Sequence, residues 1–274
     1  MSFVNSVGSI NLKGTCFIPV VMGLCLFSGV VVQAAPEDGR AAPAAWAGLG
    51  GAVLLQDAAA PDRIGMWALT FDGQGSVWTE LPDDFQAWRP LDMDGDRTLF
   101  VRSDDGALAI GTLDGSGRIA SWLPLQLPRH GVAVAFDSNR VLFQDDAHGP
   151  LAMAVFDDGG RVVRQRVLWR DSGGWQVRGM DANRILLEHA QTGDVVVMAM
   201  HPMGYLPRPY ASFVLSEGWK ARDLAGDFIL AQHEETDDIR LVRLGDNYQP
   251  VQEIELASVG NKGWIAIALS RGSY

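Results

Sequence analysis

An all-β fold, a five-bladed β-propeller of four-stranded blades, is predicted by three observations on the sequence. A self-similar unit recurs every 42–45 residues. Within it, runs of about six residues rich in apolar and β-branched side chains alternate with Gly/Asp/Asn turns. The repeat region lacks the 3.6-residue apolar period of a surface helix. A four-stranded unit of this length is one propeller blade.

The repeat rests on three columns that keep one register. Trp88, Trp175, Trp219 and Trp264 mark the first strand of successive units, with Val132 in the Trp position of one copy. The second strand ends on Gln56-Asp57, Val101-Arg102, Gln144-Asp145, Glu188-His189 and Gln232-His233, at intervals of 43–45 residues. The third column is a turn: Asp72-Gly73-Gln74-Gly75, Asp114-Gly115-Ser116-Gly117 and Asp157-Asp158-Gly159-Gly160. His201-Pro202-Met203-Gly204 and Gly245-Asp246-Asn247-Tyr248 are its weaker members. In the fourth copy the strands fall at Trp175–Met180, Ile185–His189, Val195–Met200 and Tyr210–Leu215. Pro207, Pro209 and Pro250 lie around fourth strands, which makes those strands outer, because an edge N–H needs no ladder partner.

The first blade has strands at 52–57, 64–71 and 76–81 but no good first strand. Trp46 is too close to Ala52 to leave room for a strand and a hairpin. The final Trp264–Leu269 segment is a first strand without a blade of its own. It is expected to fill the inner position of blade 1 and close the ring, which removes the open sheet edge.

Residues 1–34 read as an export signal: Lys13 is the only charge, and an apolar run follows from Cys16 to Val32. Pro19, Gly23, Ser28 and Gly29 break that run, which is shorter than the roughly 20 residues that span a bilayer. Val32 and Ala34 suit cleavage after Ala34. Residues 35–51 read as a linker, and 52–274 as the propeller. Cleavage leaves 240 residues with net charge −12 and no cysteine, since Cys16 and Cys25 leave with the signal. The expected place is the periplasm or the outside, with no membrane span and a monomeric chain. The full chain carries −11, which argues against nucleic acid, a partner that demands a basic footprint.

The repeats "Gly-Trp…Asp-x-Asn-Arg-Ile-Leu-Leu" and "Trp88…Asp92-Met93-Asp94-Gly95-Asp96-Arg97…Asp105-Gly106" resemble the FG-GAP/VCBS-like repeats of secreted bacterial propellers. The five-fold count and unit length also resemble the tachylectin-like lectin propellers. The first resemblance implies calcium loops; the second implies sugar sites between blades.

Asp92, Asp94 and Asp96 alternate and offer three hard oxygen ligands for Ca²⁺. The other copies keep only one or two acids, so the reading favours a hairpin turn whose side chains bond nearby N–H groups, and no metal. The candidate ligand-binding residues are Asp57, Arg102, Asp145, His189 and His233, one column at the end of the second strand. In a closed ring they encircle the axis on one face, where acids, His and Arg suit a polar ligand. Trp122 and Trp169 lie towards the outside. No nucleophile elbow, zincin helix or phosphate loop occurs. The expected function is an exported, non-catalytic binding module that recognises a glycan or a partner protein through one face. The alternatives are a carbohydrate-active hydrolase or lyase with acids and His on the central rim, and an envelope interaction scaffold.

Overall fold

The computed structural model describes residues 51–69, 75–81, 87–114, 116–126, 131–146, 148–200, 208–256 and 263–271. The expected signal, Trp46, all of the linker but Gly51, Asp72-Gly73-Gln74 of the first turn and the whole His201–Gly204 turn lie outside them. The described residues form five four-stranded antiparallel sheets and no helix. Blade 1 contains β1 (Gly51–Asp57), β2 (Ile64–Leu69) and β3 (Gly75–Glu80). Blade 2 contains β4 (Trp88–Asp94), β5 (Arg97–Arg102), β6 (Leu108–Leu113) and β7 (Ile119–Leu125). Blade 3 contains β8 (Ala133–Asp137), β9 (Arg140–Gln144), β10 (Leu151–Phe156) and β11 (Val162–Trp169). Blade 4 contains β12 (Trp175–Asp181), β13 (Arg184–His189), β14 (Asp194–Ala199) and β15 (Arg208–Val214). Blade 5 contains β16 (Trp219–Ala225), β17 (Phe228–His233), β18 (Ile239–Leu244) and β19 (Pro250–Leu256). The last strand, β20 (Trp264–Arg271), pairs with β1 and supplies the inner strand of blade 1. The chain is thus a five-bladed β-propeller closed by its C-terminal strand.

The inner strands β4, β8, β12, β16 and β20 each contact the next around the ring. The outer strands β7, β11 and β19 are largely exposed, as their prolines and charges require. Pro90 is the exception: it stands in inner strand β4, which likewise has a free edge. Apolar clusters fill the spaces between neighbouring blades. One joins Leu142, Leu151, Ile185 and Leu187 of blades 3 and 4 and packs under Trp175 and Trp169. Another joins Leu186, Val197, Ile229 and Val242 of blades 4 and 5 under Trp219. The inner-strand Trp residues are therefore wedges between blades.

Every inner strand carries a bulge at one level: Leu91, Val134, Arg178, Arg222 and Ile267 are the extra residues. This register moves one member of the Trp column. Trp88 lies opposite Arg102 and Pro90 opposite Phe100, while Ala133 lies opposite Phe143. Gly131, not Val132, thus occupies the Trp position of blade 3.

The blades are joined by side chains that bond the main chain of the next inner strand. Asp92 accepts the Phe136 N–H at 2.6 Å and Asp94 the Ser138 N–H at 2.8 Å. Asp181 accepts the Gly226 N–H at 2.8 Å, Asp223 accepts the Leu269 N–H at 2.6 Å, and Ser270 Oγ donates to Gly95 O at 3.1 Å. Arg97 and Arg140 reach across to the carbonyls of Ser138 and Ala182. The Asp-x-Asn-Arg motif is therefore an inter-blade clasp as well as a hairpin turn.

Ser138 and Ala182 adopt positive φ, at 57° and 52°, in these turns, where the same position elsewhere is Gly95 or Gly226. A left-handed conformation costs a residue with a Cβ about 1 kcal/mol or more. Ala182→Gly is expected to raise stability by about 0.5–1 kcal/mol after the entropy of the added glycine is subtracted. Urea denaturation measures it; an unchanged or lowered midpoint contradicts the assignment of strain.

Candidate functional site

The predicted column occupies the register partner of each inner strand's first residue. Asp57 lies opposite Trp264, Arg102 opposite Trp88, His189 opposite Trp175 and His233 opposite Trp219. Asp145, exposed, follows β9 beside Gly131. All five sit on the ring face that carries the turns between second and third strands.

Each of the four with hydrogen bonds works within its own turn. Asp57 accepts the Ala59 N–H at 2.8 Å and pairs with Arg63 at 2.9 Å. Arg102 pairs with Asp104 and Asp105. His189 Nδ1 accepts the Thr192 N–H at 3.3 Å, and His233 Nδ1 those of Glu235 and Thr236 at 3.3 Å. Both His rings also meet the blade's own Trp edge-on, at 5.1 Å and 5.4 Å. Among the described residues no hydrogen bond or ion pair joins any two of the five. The column caps turns and covers the Trp wedges.

The preceding column, Gln56, Val101, Gln144, Glu188 and Gln232, points to the junctions. Gln144 Nε2 donates to Trp175 O at 2.6 Å, and its Oε1 accepts the Val177 N–H at 2.9 Å. Gln232 makes the same pair with Trp264 O and Ala266 N–H, at 2.7 Å and 3.1 Å. An amide can donate and accept at once, so a buried Gln satisfies both main-chain groups. Gln56 instead bonds Pro61 O in its own turn.

Glu188, between blades 4 and 5, breaks the pattern. It is 1% exposed, and a carboxylate cannot donate to a carbonyl. It holds cations instead: Arg178 Nε donates to Oε2 at 2.7 Å, and Lys220 Nζ lies 3.6 Å from Oε1. Arg222 lies close enough for the charges of Arg178 and Glu188 to act on it. Burial, then Arg178, pulls its pKa down, while Glu188, Glu234 and Asp237 oppose that. Three cations thus gather around one buried acid in a strongly acidic chain. Arg178 and Lys220 stay within reach of solvent, with side chains 27% and 29% exposed.

The acids of the 92–96 segment part company. Asp92 is buried and bonds Phe136 and its own Met93 N–H, Asp94 bonds Ser138, and Asp96 is exposed. Among the described residues no group of three or more His, Cys, Asp or Glu is placed to hold a metal ion. Burial pushes the Asp92 carboxyl up to about 8 against its two N–H donors, with Asp94 and Asp137 adding to the rise. Asp223, its counterpart in blade 5, is also raised by burial and then by Asp92. Gly179 is required beside Asp223, because a Cβ there would overlap the carboxylate.

No protein-family model and no curated protein matches the chain. Among solved structures it is similar to a chain of a nidogen/laminin complex, with TM-score 0.51 and 10% identity over 80% of this chain and 97% of that one. It is also similar to a functionally unknown protein from Desulfotomaculum acetoxidans, with TM-score 0.40 and 9% identity over 76% and 66% of the two chains. Glutaminyl cyclase from Myxococcus xanthus gives TM-score 0.37 and 12% identity over 68% and 71%. The first likeness bears on fold alone.

Gln144→Leu is expected to lower stability by about 2–3 kcal/mol, because it leaves buried Trp175 O and Val177 N–H without their partner. Equilibrium unfolding checks it, and a loss below about 0.5 kcal/mol contradicts a junction role. The raised Asp92 pKa has a definite sign. The folded state keeps that proton longer than the unfolded chain, so stability falls as pH rises from about 4 to about 8. Unfolding midpoints at pH 5.5 and 8.5 are expected to differ less in Asp92→Asn than in the parent; an equal difference contradicts the assignment.

Proposed function

We propose that the chain is an exported, non-catalytic binding module whose glycan or protein ligand seats on the ring face that carries the second-to-third-strand turns, at the junction of blades 4 and 5. The observation that carries this reading is the charge cluster around Glu188. Gln144 and Gln232 show what the column does when it serves structure. Glu188 gives up those main-chain bonds and orients Arg178 and Lys220 instead. A buried ion cluster is a weak source of stability, so a local departure of this kind fits recognition better than folding. The likeness to a chain of a nidogen/laminin complex is compatible with a binding role.

The test blocks one face at a time. With Cys16 and Cys25 replaced by Ser, a bulky maleimide is attached at Glu234→Cys, on the proposed face, or at Asp246→Cys, in a turn on the opposite face. Binding to glycan and peptide arrays is expected to be lost in the first and kept in the second. The reverse pattern, or no binding by the unlabelled protein, contradicts the reading.

A further inference from the structure

The ring of bulge residues is uneven. Blades 1, 2 and 3 place Ile267, Leu91 and Val134 at this level, and blades 4 and 5 place Arg178 and Arg222. All five are half-buried. One level of the inner strands is therefore aliphatic over three blades and cationic over two. The two arginines come from neighbouring strands, where Gly179, next after Arg178, lies against the carboxylate of Asp223, next after Arg222.

The two are not equally compensated. Arg178 donates from Nε to Glu188 at 2.7 Å and from Nη2 to Gln176 Oε1 at 2.9 Å. Arg222 receives neither. Among the described residues no hydrogen bond or ion pair within 4 Å reaches its guanidinium, and its Nε is buried without an acceptor. A partly desolvated cation beside a second cation is stabilised by an anion that accepts from its terminal nitrogens. A planar guanidinium matches the paired oxygens of a carboxylate or a phosphate.

The rest of the ring bears on what carries that anion. Leu91, Val134 and Ile267, each half-buried against an inter-blade cluster, offer their remaining apolar surface but no hydrogen bond. A densely hydrated polyanion would leave them unmatched, whereas one carboxylate on an apolar body fits both parts of the ring. We propose that Arg222, with Arg178 held beside it by Glu188, binds the carboxylate of a ligand whose apolar body rests on Leu91, Val134 and Ile267. This rests on the binding-face reading above and specifies the ligand's chemistry. The carboxylate belongs either to a free small acid or to the C-terminus of a partner chain with apolar last residues.

The test is titration calorimetry of the full chain with phenylacetate, phenylacetamide, and a Gly-Leu-Leu peptide with a free or amidated C-terminus. At least one acid is expected to bind about tenfold or more tightly than its amide. Arg222→Gln is expected to lose about tenfold or more of that affinity, and Arg222→Lys to retain part of it. Comparable binding of phenylacetate and peptide acid assigns a free acid; binding of the peptide acid alone assigns a chain terminus. Arg222→Gln is also expected to melt no lower than the parent, because the guanidinium holds no partner. Equal binding of acids and amides, unchanged binding by Arg222→Gln, no binding by any probe, or a lower melting temperature of Arg222→Gln overturns the proposal. If the acids fail while the Glu234→Cys label still blocks array binding, the face reading stands and the carboxylate reading falls.

Discussion

The structure depends on one kind of interaction: a side chain of one blade bonding the main chain of the next blade's inner strand or of the turn that follows it. Each blade completes its own backbone ladder, and among the described residues no backbone hydrogen bond links the inner strands around the ring. Their neighbouring edges would otherwise present unpaired N–H and C=O groups. Asp92, Asp94, Asp181 and Asp223 accept those N–H groups, Ser270 and two arginines bond the carbonyls, and Gln144 and Gln232 do both. The apolar clusters between blades supply the driving force, and these polar bonds fix the register in which the blades meet.

That constraint explains why departures from the repeat are informative. A column that must satisfy a carbonyl and an amide of the next blade has little chemical freedom, and Gln answers it. Where blade 1 turns its Gln inward and blade 2 uses Val101, the column is released from the task without acquiring charge. In this column Glu188 alone is a buried acid, and it stands where Arg178, Lys220 and Arg222 meet.

Much of the fold was legible because each blade needs the same turns at the same spacing. The closing role of Trp264–Leu269 followed from a first strand with no blade and a blade with no first strand. The Trp column slipped by one at Val132 because Gly131, the true occupant, carries no side chain to mark it. The acids at 92–96 read as a hairpin turn bonding nearby N–H groups because sequence adjacency hides that Asp92 and Asp94 reach a different blade. The second-strand column was found in register, but its chemistry is local: Asp57, Arg102, His189 and His233 each bond the turn beside them. The arginines escaped notice because they stand mid-strand, away from the polar strand ends. Their signal was nonetheless present: Trp175-Gln176-Val177-Arg178 and Trp219-Lys220-Ala221-Arg222 set a cation where Trp88-Arg89-Pro90-Leu91 and Trp264-Ile265-Ala266-Ile267 set an aliphatic residue.

In this reading the ligand is held at the junction of blades 4 and 5 through Arg222. Arginine-selective ¹⁵N NMR of the Nε–H groups during titration with the bound acid tests it most directly. The Arg222 resonance, assigned by its absence in Arg222→Lys, is expected to move furthest and to saturate with the ligand, with Arg178 following. Perturbation confined to Arg118 or Arg161, beside the turns of the opposite face, or no arginine shift at saturation, would contradict it.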